Sequence, residues 1–153
     1  MSSWGDVLSV QPDFARRMRE TFAVRKHATL ATVRKDGSPR ISGTEVEFDD
    51  EAGEVFLGMM PGSVKAADLA RDPRLAIHCP TVDAPDDDPS GWLGDGKLSG
   101  TGVDVTEPAE RGSARRFRVE ITEVVLTFVG TPADHLVVQS WHPARGLEVI
   151  ERR

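Results

Sequence analysis

Residues 28–59 hold three short apolar or alternating runs separated by turn residues, and this pattern restricts the fold more than any other feature of the chain. Ala28 to Val33 reads ATLATV, a β-branched apolar run of strand length. Lys35-Asp36-Gly37 follows, with the glycine that a tight hairpin needs for positive φ. Ser38 to Asp49 places Ile41, Val46 and Phe48 on a return strand, the acidic turn Asp49 to Gly53 ends it, and Glu54 to Met59 makes a third strand. Three consecutive antiparallel strands predict a mainly β architecture.

The flanking segments fit that frame. A helix over 13–24 presents Phe14, Met18 and Phe22 at every fourth residue, one apolar stripe for packing on a barrel. Pro61-Gly62-Ser63 leads into a helix of about two turns, Val64 to Arg71, with Ser63 as N-cap and Pro73 beyond its end. Leu75 to Cys79 reads as a fourth strand. The segment 81–96, TVDAPDDDPSGWLGDG, has no hydrophobic period and predicts an acidic surface excursion, the stretch whose composition most favours disorder. Lys97 to Thr106 resumes alternation with glycines where a strand bends, and Glu107 to Ser113 is a connector or short helix. Arg116 to Val129 is the longest strand, with a phase change near Glu123 that predicts a bulge. Leu136 to Trp141 and Leu147 to Ile150 follow, giving seven or eight strands against two or three helices in one domain, 1–153.

Composition narrows the function classes. Of 153 residues, 39% are hydrophobic and 29% charged, and no apolar run reaches membrane-spanning length, so neither a membrane span nor a membrane partner is expected. Met1 to Val10 lacks the basic start and apolar stretch of a secretory signal, and one cysteine, Cys79, cannot close an internal disulfide; a reducing cytoplasm is the expected compartment. A net charge of -6 opposes nucleic-acid binding. The arginines that could work against it, Arg111, Arg115, Arg116 and Arg118, read instead as the wet face of a strand because Arg116 and Arg118 alternate with Phe117 and Val119.

Pro61-Gly62-Ser63-Val64-Lys65 is the sharpest local feature. A hydroxyl, an ammonium and free backbone N–H groups at a helix start are the parts of a phosphate site, and equally those of an ordinary N-cap with a solvated lysine. Arg40 is either a second cation for that site or an exposed strand residue. Leu57, Gly58, Met59 and Met60 form an apolar shelf whose backbone can approach a flat ring, or plain core.

The order helix, ATLATV, DG turn, PRISG strand, FLGMM strand, then S-x-K-x-x-x-L-x-x-D-P-R-x-A resembles the pyridoxamine 5'-phosphate oxidase-like split barrels over about Phe14 to Cys79. The resemblance implies a six- to eight-stranded antiparallel split β-barrel whose cofactor-binding half is 28–80 and whose C-terminal strands are 97–153. It implies that Ser63 and Lys65 hold the terminal phosphate of FMN with help from Arg40, and that Leu57 to Met60 border the ring with their backbone. It also implies a homodimer with two cofactor sites between subunits and a small-molecule substrate. Trp141-His142-Pro143 and Arg145 lie where the family's last strands approach the cofactor, so Trp141 is either a groove-lining residue or an interface anchor. The chain departs from the true oxidases at Glu45, where they carry a lysine, at Val64, where they carry an arginine, and at Leu147, where they carry an arginine that is here nearest matched by Arg145. The same scaffold is similar to deazaflavin-dependent reductases and to haem-binding proteins, so a deazaflavin coenzyme and haem are the alternatives to FMN, and a non-catalytic binding protein is the alternative to an oxidoreductase.

No acid–base pair stands out, and no catalytic residue is assigned. His78-Cys79 reads as a buried thiol beside an inward or edge histidine rather than a nucleophile. Asp83, Asp86, Asp87, Asp88 and Asp95 lack EF-hand spacing, and His27, His78, His135 and His142 are too scattered to define a metal site.

Overall fold

In a computed structural model, which describes residues 2–153, the chain is built from three α-helices and eight antiparallel strands. Strands β1 (His27–Val33), β2 (Pro39–Asp49) and β3 (Glu54–Met59) form the expected meander. The order β3-β2-β1-β4-β5-β6 adds β4 (Arg74–His78), β5 (Asp95–Asp104) and β6 (Arg115–Val129), and β3 then pairs with β6 to close a six-stranded barrel. That closing pair runs from Phe56 opposite Arg118 to Met59 opposite Arg115. Two further strands, β7 (Leu136–His142) and β8 (Gly146–Arg152), extend the sheet from β6 as a hairpin.

The strands alternate as period-two patterning demands: Leu30, Leu57, Ile77, Leu98, Val119 and Ile121 are buried inside the barrel while their neighbours face outward. β6 is long enough to serve both the barrel and the hairpin because it bends. Ser99 pairs with Glu123 and Gly100 with Ile121, so Thr122 is the extra residue of a bulge, one position from where the sequence phase changes. At this bend a Cβ on Gly100 would lie 1.9 Å from the Glu120 carbonyl oxygen and 2.9 Å from its carbon. Gly100→Ala is therefore expected to destabilise the fold by about 3 kcal/mol, read as a lowered urea midpoint, because backbone rather than a yielding side chain blocks the methyl group.

Helix α1 (Trp4–Val10) is not foreseen by the sequence reading. Ser3 and Asp6 form a reciprocal capping box, and Trp4 and Val7 are fully buried, with the Trp4 indole N–H donating to Asp50 Oδ1 at 3.1 Å. Helix α2 (Pro12–Ala23) buries Phe14, Met18 and Phe22 as the spacing predicts. It crosses β5 at Gly96, where a Cβ would stand 2.2 Å from Thr21 Oγ1. Helix α3 (Val64–Arg71) has Ser63 as its cap, its hydroxyl oxygen accepting from the Ala66 N–H at 3.3 Å.

The acidic excursion is shorter and better organised than its composition suggests. β5 starts at Asp95, so the loop ends by residue 94. Asp88 caps a single helical turn at Pro89–Gly91, and the Trp92 indole N–H donates to the Val82 carbonyl at 2.7 Å. Those local bonds offset the lack of apolar burial. β5 also ends two residues early, at Asp104, whose carboxylate accepts from Thr106.

Candidate functional site

The β2–β3 ladder stops at Glu45 opposite Gly58, whereas β2 stays paired to β1 as far as Pro39. The two strands thus split, and the first turn of α3 meets the uncovered edge of β2. Lys65 Nζ donates there to the Gly43 carbonyl at 2.6 Å. The side chain is half-buried, and burial lowers the Lys65 pKa from its ordinary value. Ser63 sits two residues away at the helix start.

Behind this turn lies a polar knot that the sequence reading missed. Asp68 is 2% exposed and accepts from Thr32 Oγ1 at 2.8 Å, Arg40 Nε at 2.7 Å and Arg71 Nη2 at 3.0 Å. Burial raises its carboxyl, but the hydrogen bonds from Arg40, Thr32 and Arg71 outweigh that and bring it down to about 2. Arg40 is thus held through its Nε, and neither Nη has a hydrogen-bond partner among the described residues. Because the folded pKa lies below the ordinary carboxylate value, the associated stability is present above about pH 4 and is lost as pH falls through about 2. An acid titration of the unfolding free energy is expected to lose on the order of 2 kcal/mol through Asp68, a loss that Asp68→Asn removes from the curve.

The outer face of β2 and β3 has a backbone opening at Gly43 and Gly58. Leu57 and Met59 point inward and are core, whereas Gly58 and Met60 are exposed, Met60 to 77%. Gly43 and Gly58 face outward, and nothing lies within 4 Å of where either Cβ would be. Exposed Ile41 and Val64 flank this backbone floor. Glu45, opposite Gly58, pairs with Lys26 at 3.3 Å and His27 at 3.7 Å, so a carboxylate stands beside the floor.

From Ile41 the face continues into a groove of about 260 Å³ with an apolar stretch at Ala31 and Ala76 and a polar end at His78, Lys97 and Glu123. Glu123 also meets His142 Nε2 at 3.3 Å. Ser63 and Lys65 thus sit at the start of α3, where the Ser63 N–H donates to the Met60 carbonyl at 3.1 Å, whereas Arg40, on the inner face of β2, meets the helix a turn further on, at Asp68. Trp141 does not join them: it is 4% exposed on β7, opposite Val124 and Leu147, and belongs to the core. Cys79 is buried, burial pushes its thiol up, and its Sγ accepts the Gly96 N–H at 3.1 Å, which does not suit an activated nucleophile.

No family model matches the sequence, and no curated protein matches it. Solved structures do. A pyridoxamine 5'-phosphate oxidase-related, FMN-binding protein of Nostoc punctiforme PCC 73102 superposes with a TM-score of 0.65 at 8% identity, covering 94% of this chain and 96% of that one. PhzG of Burkholderia lata 383, solved with tetrahydrophenazine-1-carboxylic acid, gives 0.62 at 11% identity, covering 97% and 92%. A haem-binding protein of Mycobacterium smegmatis gives 0.52 at 16% identity, covering 94% and 89%. At such identities the shared property is the fold, and this chain has the split β-barrel fold of the pyridoxamine 5'-phosphate oxidase-related proteins.

Proposed function

We propose that the chain is a flavin-dependent oxidoreductase of the pyridoxamine 5'-phosphate oxidase-like kind, which binds FMN between the subunits of a homodimer and passes hydride to or from a small organic substrate. The observation that carries this reading is the half-buried Lys65 ammonium at the head of α3, next to a floor from which side chains are missing at Gly43 and Gly58. A phosphate needs cations and N–H donors, and a tricyclic ring needs a flat surface; the Lys65 ammonium bonded to the Gly43 carbonyl supports the first and the open backbone at Gly43 and Gly58 the second.

FMN, when bound, supplies the hydride chemistry, and the protein's part is placement, charge and exclusion of water. Lys65, the Ser63 hydroxyl and the free Nη groups of Arg40 are the donors for the phosphate. The backbone of Leu57 to Met60 carries the ring. Ile41 and Met60, 74% and 77% exposed, together with Val64, suit burial against a second copy, which would also shield the groove from water. No helix among the described residues is long and apolar enough to cross a membrane, and the free thiol agrees with a reducing, cytoplasmic setting. Glu45 in place of the oxidases' lysine argues for a substrate other than pyridoxamine 5'-phosphate.

The visible spectrum of the purified protein, before and after anaerobic addition of a nicotinamide donor, tests the proposal. A flavin spectrum that bleaches and then recovers with a small oxidised substrate is expected. A deazaflavin or haem spectrum would replace FMN by that cofactor, bound cofactor that no donor reduces would make the chain a binding protein, and failure to take up any of the three would overturn the reading.

A further inference from the structure

We infer that His78, Cys79 and Asp95 form a site for a thiophilic divalent ion of the zinc type, at the join between β4 and β5. Their ligand atoms all lie within 4.8 Å of one another although His78 ends β4, Cys79 follows it and Asp95 opens β5 beyond the acidic loop. The join is held by backbone. The Cys79 N–H donates to the Gly96 carbonyl at 2.8 Å, and the Gly96 N–H returns a bond to Cys79 Sγ at 3.1 Å. Asp95, the neighbour of Gly96, is thereby fixed beside His78.

The histidine is oriented as a ligand. Its Nδ1 lies 2.6 Å from the Cys79 carbonyl oxygen, which can only accept, so Nδ1 carries the proton and the neutral ring turns the lone pair of Nε2 toward Asp95 Oδ1, 3.8 Å away. Two acceptors facing across that partly open space are an arrangement that a cation can bridge. A carbonyl-bound Nδ1 with a free Nε2 is the arrangement by which metal-bound histidines are held.

The geometry is close to a tetrahedral site. Zinc bonds of about 2.0 to 2.3 Å set such ligand atoms roughly 3.3 to 3.6 Å apart, so the His78–Asp95 edge of 3.8 Å must close by about 0.5 Å and the longest edge, at most 4.8 Å, by up to about 1.2 Å. His78 and Asp95 are partly exposed, which leaves both side chains room to turn and gives the ion a way in. Imidazole, thiolate and carboxylate together favour zinc or cobalt over magnesium or calcium, which take all-oxygen sets. Lys97, opposite His78 on β5, opposes a cation, but it is exposed and its charge is screened. On binding, the Cys79 Sγ–H bond breaks, sulfur bonds the metal, and the proton leaves to solvent. Three protein ligands leave the fourth position to water or to a molecule in the groove that His78 lines.

The test is a titration of the chelator-treated protein with Co²⁺, followed by difference absorption and then displacement by Zn²⁺. One Co²⁺ per chain with a near-ultraviolet thiolate charge-transfer band and tetrahedral visible bands is expected. Cys79→Ser is expected to abolish that band, and His78→Ala and Asp95→Asn each to weaken Zn²⁺ binding at least tenfold. Should Cys79→Ser fail to fold, the other two variants, both at partly exposed positions, decide the matter. Absence of a thiolate band, or a band and affinity unchanged in His78→Ala and Asp95→Asn, would overturn the inference. Neither result depends on a bound flavin.

Discussion

Lys65→Ala is expected to weaken FMN binding by about 10- to 100-fold while leaving the urea midpoint nearly unchanged. A hydrogen bond to a charged group is worth about 1.5–3 kcal/mol, which is that range in affinity. The same substitution deprives the Gly43 carbonyl of its donor, but the site is half-open and water can replace the ammonium, so the fold should lose less than about 1 kcal/mol. Fluorescence titration and equilibrium unfolding on the same preparation separate the two effects. Affinity that stays at the parent value would remove Lys65 from the phosphate site, and a large loss of stability would make it a structural residue.

Asp68→Ala is expected to cost about 3–5 kcal/mol of folding stability, because it leaves the partly buried guanidinium of Arg40 without its counter-charge, strips the buried Thr32 hydroxyl of its acceptor and takes one of two acceptors from Arg71. Against the roughly 5–15 kcal/mol that a domain of this kind has in hand, such a loss brings the variant close to unfolding. Asp68→Asn keeps an acceptor and should fall between. Chemical denaturation reads the midpoint, and a stable Asp68→Ala variant would mean that the knot is not what fixes α3 to the barrel. In the folded Asp68→Asn protein, FMN affinity should also drop, since an uncharged acceptor holds Arg40 less firmly.

What the sequence made legible was what is local. The ATLATV strand, the turn at Gly37, the third strand from Glu54 to Met59 and the α3 helix from Val64 to Arg71 each rest on neighbouring residues, and their bounds came out within a residue or two. The bulge at Thr122 was visible because a phase shift in an alternating run is itself local. Barrel closure by β3 and β6 joins segments about sixty residues apart, and only the resemblance supplied it. Helix α1 escaped because seven residues with two buried side chains give too short a period, although Ser3 and Asp6 spelled its capping box.

At the site, Ser63 and Lys65 were readable as a pair, while Asp68 was not. The signal was present: a carboxylate between Ala66 and Leu69 on the inward face of α3, facing a threonine inside an apolar strand. Each looks ordinary until the other is placed beside it. The same holds for Asp95, which composition assigned to a solvated loop and the strand join delivers to His78 and Cys79. Trp141 went the other way. An aromatic near the end of a strand serves interface and core equally well by sequence, and its burial against β6 and β8 puts it in the core.

The phosphate is the point on which the account turns, and riboflavin is FMN without it. Parallel fluorescence titrations with the two compounds isolate the contribution of the α3 end from that of the ring floor. FMN should bind at least tenfold more tightly than riboflavin, and Lys65→Ala should bring the two affinities together. Equal affinities in the parent protein would contradict a phosphate site at Ser63 and Lys65.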